Sequence, residues 1–225
     1  MPEKALFTIN ILGLELKINS SIIVQWVIIL LLALVSFLLT RNLKKRPDRK
    51  QSALEVVYTA IANLVHENMG EGYKNFVPYI GTLALFILLM NVSPLIGVKA
   101  PTEELSVTAG IALITFFMVQ ANAIGKIGVG KYVHGYFNPL AFIMPLNVLE
   151  RIMLPISLSL RLFGNMSAGA IIMGIVYDKL TAIAWPAGLV IPVPFHFYFD
   201  FFDAVLQMII FVMLTMVQIK IIAEH

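Results

Sequence analysis

The sequence contains no cysteine, and only 13% of its 225 residues are charged. The lack of cysteine excludes disulfide bonds and thiolate chemistry, and it leaves the redox compartment open. Soluble domains carry about 25% charged residues, so a chain that is 59% hydrophobic cannot hide its apolar side chains in a water-soluble core. The chain also lacks internal repeats, low-complexity tracts and any polar segment as large as a soluble domain. These features predict a single membrane domain over residues 1–225, an all-α polytopic membrane protein.

The positive charges are few and concentrated. The formal net charge is +3, and six of the ten residues in 41–50 are basic. Such a loop is typical of a topology anchor, with lipid or partner binding as the alternative, and it does not indicate nucleic-acid binding. The N-terminus lacks the basic segment directly before an apolar run that a cleaved signal peptide needs, so we expect the chain to be mature from residue 1.

Five hydrophobic segments are long enough to cross about 30 Å of hydrocarbon as helices. They cover residues 21–40, 76–98, 105–124, 146–177 and 195–223. The last two exceed a perpendicular span at about 1.5 Å per residue, so we expect both to be tilted. Pro94 is expected to kink or end the second helix.

The segments outside the five spans set the expected orientation. Apolar residues recur at helical spacing over residues 52–70, which predicts an amphipathic helix at the membrane interface. The positive-inside rule places loop 41–50 in the cytoplasm. Residues 1–20 are then an extracytoplasmic arm, with the N-terminus outside and the C-terminus cytoplasmic.

An arginine and an asparagine interrupt the fourth segment. Arg161 and Asn165 lie one helical turn apart in residues 152–177, which are otherwise apolar or small. A charge near the centre of the bilayer costs a few kcal/mol, so a functional role is the default interpretation. A guanidinium stays protonated and therefore acts as a fixed charge, not as a proton carrier. The alternative is a static ion pair with one of three carboxylates, Asp200, Asp203 or Glu150.

Four polar side chains recur in the last segment at spacings of four, three and four residues. They are His196, Asp200, Asp203 and Gln207. This spacing puts them on one helical face, which we expect to face Arg161. Ionisable groups within a membrane face a protein interior or a water-filled cavity, so the stripe predicts half of a proton or cation path. The alternative is an interfacial cluster in which His196 and Asp200 are solvated at headgroup depth.

Glu150 lies near the inner end of the fourth segment. It is a candidate carboxylate on the exit side of the path. The alternative is an interfacial charge that the adjacent Arg151 balances.

The run PISLSLRLFGNMSAG over residues 155–169 closely resembles the arginine motif of subunit a of the F-type ATP synthase membrane sector. The resemblance covers residues 20–225. Further matches are residues 145–150, Asn91 with Pro94, residues 101–108, residues 207–215 and the terminal Glu224-His225.

The resemblance implies a function. Subunit a is the stator beside a rotating ring of c subunits, and it provides two offset half-channels through which ions reach and leave a carboxylate on each ring subunit. It is not an enzyme by itself but an ion-translocating part of the synthase that couples proton translocation to ATP synthesis. The implied partners are the c-subunit ring, the b-subunit peripheral stalk, the rest of the synthase and the lipid bilayer. The simple asymmetry of the basic loops favours a bacterial plasma membrane over an organelle. No cofactor, metal or nucleic acid is implied.

The resemblance also assigns roles to residues. Arg161 matches the essential arginine that separates the half-channels, and Asn165 and Gln207 match polar positions near it. Asp200 matches a position on the outer half-channel, and Glu150 matches an acid of the inner one.

One departure from the family pattern concerns Ala170, because many relatives have Glu at this position. We expect Asp203, with Asp200 and His196, to supply the missing relay from the facing helix. A sodium-translocating version of the same subunit, a self-contained ion channel and a secondary transporter remain alternatives. The last two are disfavoured because the chain has no inverted repeat or broken midplane helix, and because an arginine would block an open pore.

Overall fold

All five hydrophobic segments of the sequence form helices. The computed structural model describes residues 7–11, 14–41, 44, 48–136, 142, 144–183 and 187–224. Within these residues five helical spans are long and apolar enough to cross a membrane. They are Ser20–Thr40, Glu71–Ile96, Leu105–Ile127, Met144–Ala182 and Pro192–Ala223. The predicted all-α polytopic fold class with five spans is confirmed.

The N-terminal arm contains a short hairpin that we did not predict. Strands β1 (Phe7–Ile11) and β2 (Leu14–Ile18) pair in antiparallel fashion, with Phe7 opposite Ile18. The alternation Leu-Glu-Leu-Lys-Ile in β2 is a strand pattern that could have indicated it.

The first span, α1 (Ser20–Thr40), packs loosely on the rest of the chain. Only Ser21 and Ile28 are buried along it. The Ser21 hydroxyl donates a hydrogen bond of 2.7 Å to Glu104 Oε1, which joins the start of α1 to the connection between the second and third spans.

The amphipathic helix is present as α2 (Arg49–Met69), and the side chain of Asp48 accepts a hydrogen bond from the first backbone N–H of that helix. Its final turns pack in the core, where Val65 and Met69 are buried. The earlier apolar residues, such as Val56, are exposed. If α2 lies at the membrane interface, as the sequence predicts, lipid would cover these exposed apolar side chains.

The second and third spans form α3 (Val77–Val92) and α4 (Leu105–Ile127). Pro94 does end α3, because the chain changes to a 3₁₀ turn at Ser93–Ile96. A short helix, α5 (Val129–Gly135), follows α4.

The last two spans are long, as predicted. Helix α6 (Met144–Ile183) has 40 residues, which is about 60 Å at 1.5 Å per residue. After the short α7 (Ala187–Val190), the final span begins as α8 (Pro192–His196), passes through a π-helical segment at Phe197–Phe202 and continues as α9 (Asp203–Glu224).

Contacts between the helices define two ends of the bundle. At the Glu103 end, the Ser167 hydroxyl of α6 donates to the backbone oxygen of Glu103, at 3.5 Å. At the Lys126 end, the ammonium of Lys126 lies 3.4 Å from the centre of the Tyr73 ring. The start of the second span therefore lies beside the end of the third, so these two spans run in opposite directions.

The core lies between α3, α4, α6 and α9. Helix α6 contributes one narrow stripe to it, because the buried side chains recur every four residues at Leu158, Leu162 and Met166. The remaining surface of α6, over half of its circumference, is available to lipid or to another chain.

Candidate functional site

Arg161 lies on the exposed side of α6. It immediately precedes the buried Leu162, but its own side chain points away from the core and is exposed. Among the described residues it has no hydrogen bond or ion pair. The static ion pair with Asp200, Asp203 or Glu150 is therefore not formed in the described part of the chain, and Arg161 makes no hydrogen bond there to the polar stripe of the last span.

Small side chains surround Arg161 on the same face. Ser157, Gly164 and Ala168 lie one turn before it, one turn after it and two turns after it. A side chain added at Gly164 would meet no other atom of the chain within 4 Å. This surface therefore leaves room for a closely approaching helix.

At the Glu103 end, α6 and the last span enclose a cavity of about 100 Å³. Among the described residues its polar lining consists of Glu103, Asn165, His196 and Asp200. Asn165 lies one turn from Arg161, so the cavity extends to within a helical turn of the arginine. No group of three or more His, Cys, Asp or Glu side chains in the described part of the chain is arranged to hold a metal ion.

A chain of hydrogen bonds leads along this cavity. The Tyr177 hydroxyl lies 2.8 Å from Nε2 of His196, and Nδ1 of the same imidazole contacts Oδ2 of Asp200. Tyr177 is exposed, the His196 side chain is one-third exposed, and Asp200 is buried. The three groups thus connect the surface to a buried carboxylate.

Asp203 and Gln207 form a separate pair. The Gln207 amide donates a hydrogen bond of 3.3 Å to Asp203 Oδ1, and neither residue is among the described residues that line the cavity. The π-helical segment lies just before Asp203, and it changes the number of residues per turn between the two pairs. The predicted single stripe is therefore divided into two hydrogen-bonded pairs, His196 with Asp200 and Asp203 with Gln207.

Two residues of the site were not singled out from the sequence. They are Tyr177 and Glu103. Glu103 lines the cavity, and Tyr177 contacts His196, through packing between residues far apart in the sequence, so helical periodicity could not have revealed either. Ala170, the position at which the family resemblance implies Glu, also lines this cavity.

At the Lys126 end, Glu150 is exposed and Arg151 does not balance it. The Arg151 guanidinium lies 4.2 Å from the centre of the Tyr136 ring and 4.9 Å from that of Tyr132, and its Nη1 donates to the Tyr136 hydroxyl at 3.2 Å. Burial raises the pKa of Tyr136, so its hydroxyl stays protonated and takes part in these contacts.

Glu150 and Arg161 share a face of α6. They are 11 residues apart, which is about three turns and about 16 Å along the helix axis. Glu150 therefore lies on the surface that carries Arg161, nearer the Lys126 end.

The amino-acid sequence of this chain matches those of known proteins along most of its length. The family model described as ATP synthase A chain matches residues 22–220. The sodium ion specific ATP synthase subunit a of Propionigenium modestum is 33% identical over 219 residues, covering 90% of this chain and 73% of the relative. Subunit a of Moorella thermoacetica is 38% identical over 163 residues, covering 72% and 75% of the two chains. Subunit a of Geotalea daltonii is 35% identical over 214 residues, covering 93% and 90%.

The family resemblance read from the arginine motif is thus confirmed over nearly the whole chain. Such subunits translocate ions and are not catalytic on their own, and they occur in multi-pass form in bacterial membranes. The chain belongs to the ATP synthase A chain family, the stator subunits of the ion-translocating membrane sector.

Proposed function

We propose that this subunit conducts protons through two offset half-channels to and from a c-subunit ring, and that Arg161 separates the two. The observation that carries the proposal is the exposed position of Arg161 on α6, without an ion-pair partner among the described residues. A cation at this depth in a membrane costs several kcal/mol unless a counter-charge approaches it. The counter-charge then comes from another chain, and a ring carboxylate has the required sign.

The face around Arg161 suits a ring helix. Gly164 and Ala168 place no bulky side chain on this face, so a passing helix could bring a carboxylate close to the guanidinium. A fixed cation favours the ionised form of that carboxylate. Each ring site would therefore lose its proton on approaching Arg161 and could not carry it past.

The outer half-channel is the cavity at the Glu103 end. In this proposal protons pass through Tyr177, His196 and Asp200 towards Asn165 and the ring. Phenol, imidazole and carboxylate groups each accept and release protons, and the hydrogen bonds between them support a relay. Asp203 and Gln207 provide a second polar pair nearer the Lys126 end.

The inner half-channel begins at Glu150. Its exposure on the Arg161 face, and the contacts that hold Arg151 elsewhere, support a free carboxylate where protons leave the ring. The two half-channels are then offset along α6, with Arg161 between them.

Sodium is the alternative ion, because the relative from Propionigenium modestum is named as sodium ion specific. A tyrosine–histidine–aspartate chain favours protons, since an imidazole passes on a proton by exchanging tautomers and offers sodium only one nitrogen ligand. ATP-driven transport in sodium-free vesicles distinguishes the two: proton uptake that persists without sodium supports the proposal, and transport that requires sodium contradicts it.

The remaining parts of the proposal concern partners and orientation. We propose the b-subunit peripheral stalk as a second partner, since α1 presents a long apolar surface that packs only loosely within the chain. The basic residues of loop 41–50 support a cytoplasmic Lys126 end, so the N-terminus would be outside and the C-terminus cytoplasmic in a bacterial plasma membrane.

Substitution of Arg161 tests the central claim. In the assembled synthase, Arg161→Ala is expected to abolish ATP synthesis driven by a proton gradient while the complex still assembles, because the side chain makes no contact that holds the fold. Lys131→Ala, which removes an exposed cation from α5, is the control and should leave synthesis near the wild-type rate. Normal synthesis by Arg161→Ala would overturn the proposal.

A further inference from the structure

Glu103 lines the same cavity as Ala170. Its side chain is only 15% exposed although it lies in the connection between α3 and α4. The ammonium of Lys99, itself 46% exposed, lies 3.9 Å from Glu103 Oε2 on the solvent side. The structure therefore brings a carboxylate from outside α6 to the cavity that contains Ala170, the position at which the family resemblance implies Glu.

The position of Glu103 is fixed by its surroundings. Its backbone oxygen accepts from the Ser167 hydroxyl, and Ser167 lies one turn before Ala170 on α6. Its backbone N–H donates to Ala100 at 3.1 Å. The preceding Thr102 is fully buried and donates a hydrogen bond of 2.8 Å to Asn91 in α3. The short 3₁₀ turn that carries Glu103 is thus attached to two transmembrane helices.

The adjacent acid has a different role. Glu104 Oε1 accepts the hydrogen bond from Ser21 in α1, and Glu104 is not among the described residues that line the cavity. One of the two neighbouring glutamates therefore joins helices, while the other reaches the cavity.

We propose that Glu103 is the outer carboxylate of the proton path and takes over the function that Glu would have at position 170. This rests on the proposed function of the cavity as the outer half-channel. Glu103 accepts a proton from water at the surface, becoming a neutral carboxylic acid. It then releases the proton towards His196 and Asp200 on the other side of the cavity and returns to the ionised form.

The size of the cavity is compatible with this transfer. At about 30 Å³ per molecule, about 100 Å³ holds roughly three waters, which is enough to bridge Glu103 to the imidazole or to Asp200. Asn165 then lies between the cavity and Arg161. Glu103 is thus a relay group that passes the incoming proton on through water, without contact with the ring carboxylate.

The test uses the complete synthase in proteoliposomes and measures ATP-driven proton uptake together with ATP hydrolysis. Glu103→Gln keeps the size and hydrogen-bonding capacity of the side chain and removes its proton affinity. We expect about tenfold slower proton uptake, which is less than the roughly hundredfold that a positioned acid–base group typically contributes, because water in the cavity replaces part of the relay. Glu104→Gln is the matched control, since its amide oxygen still accepts from Ser21, and its uptake should remain near wild type.

Rescue separates a proton-transfer role from a structural one. The double variant Glu103→Gln with Ala170→Glu restores the carboxylate to the same cavity from α6, and we expect it to recover most of the uptake. Wild-type uptake by Glu103→Gln would overturn the proposal, and so would failure of Ala170→Glu to restore it.

Arg161→Ala in the same assay distinguishes the two proposals. If Arg161→Ala is inactive and Glu103→Gln is normal, only the role of Glu103 fails. If Arg161→Ala pumps normally, the half-channel proposal itself fails and the role of Glu103 fails with it.

Discussion

The hydroxyl of Tyr177 lies 2.8 Å from Nε2 of His196, and this contact joins α6 to the final span. The two rings are tilted against each other with their centres 5.6 Å apart. Because the other nitrogen of His196 contacts Asp200, the imidazole connects an exposed phenol with a buried carboxylate. A histidine held on both sides keeps its ring orientation and has a defined partner for each nitrogen.

Tyr177→Phe removes the outer hydrogen bond of this chain and keeps the ring contact. We expect proton uptake by the reconstituted synthase to slow by about two- to fivefold, because water can replace part of an exposed relay group but not its fixed geometry. Tyr198→Phe is the matched control, since Tyr198 is exposed and its ring stacks on Phe202. Equal rates for the two variants would argue against a relay through Tyr177.

Asp200 and Asp203 are expected to differ in importance. Asp200→Asn should reduce proton uptake by at least about tenfold, because it removes a buried carboxylate that contacts His196 in the cavity. Asp203→Asn should have a much smaller effect, since an asparagine oxygen still accepts from Gln207. Measurement of uptake and of assembly for both variants tests this order. A larger loss for Asp203→Asn would restore our sequence-based expectation that Asp203 is the main replacement for a carboxylate at Ala170.

The spans and the arginine could be predicted because their signals are local. An apolar run must form a helix in hydrocarbon, and a proline such as Pro94 removes a backbone donor and so favours a kink or an end, whatever the neighbouring helices do. Arg161 is recognisable for the same reason, since a charged residue within an apolar run is visible in the sequence itself. The sequence alone leaves open whether Arg161 forms a static ion pair within the chain, and the structure shows no such pair among the described residues.

The cavity could not be predicted in the same way. Glu103 reaches it through a hydrogen bond to Ser167, which is 64 residues away in the sequence. The π-helical segment changes the relation between Asp200 and Asp203, so a count of residues at ordinary helical spacing gave a single stripe where the structure has two pairs. Both features depend on packing between distant helices.

The small side chains beside Arg161 on α6 lead to a steric prediction. Gly164→Leu adds a branched side chain at about 60° from Arg161 around α6, where the chain itself leaves open space. Gly174→Leu is the control, because a side chain added at the exposed Gly174 likewise meets no other atom within 4 Å, and Gly174 lies about 140° from Arg161 around the helix. Both substitutions gain about 0.8–1 kcal/mol in helix propensity, so neither should weaken the fold.

We expect Gly164→Leu to prevent close approach of the ring, and so to lower the amount of ring that stays bound during purification. Proton uptake should fall by about tenfold or more, since displacement of reacting groups by about 1 Å can cost a hundredfold. Gly174→Leu should retain the ring and pump near the wild-type rate. If the two leucine variants retain the ring equally and pump equally, the ring does not bind over Gly164. Arg161 would then face lipid at this position, and a counter-charge would have to reach it from elsewhere.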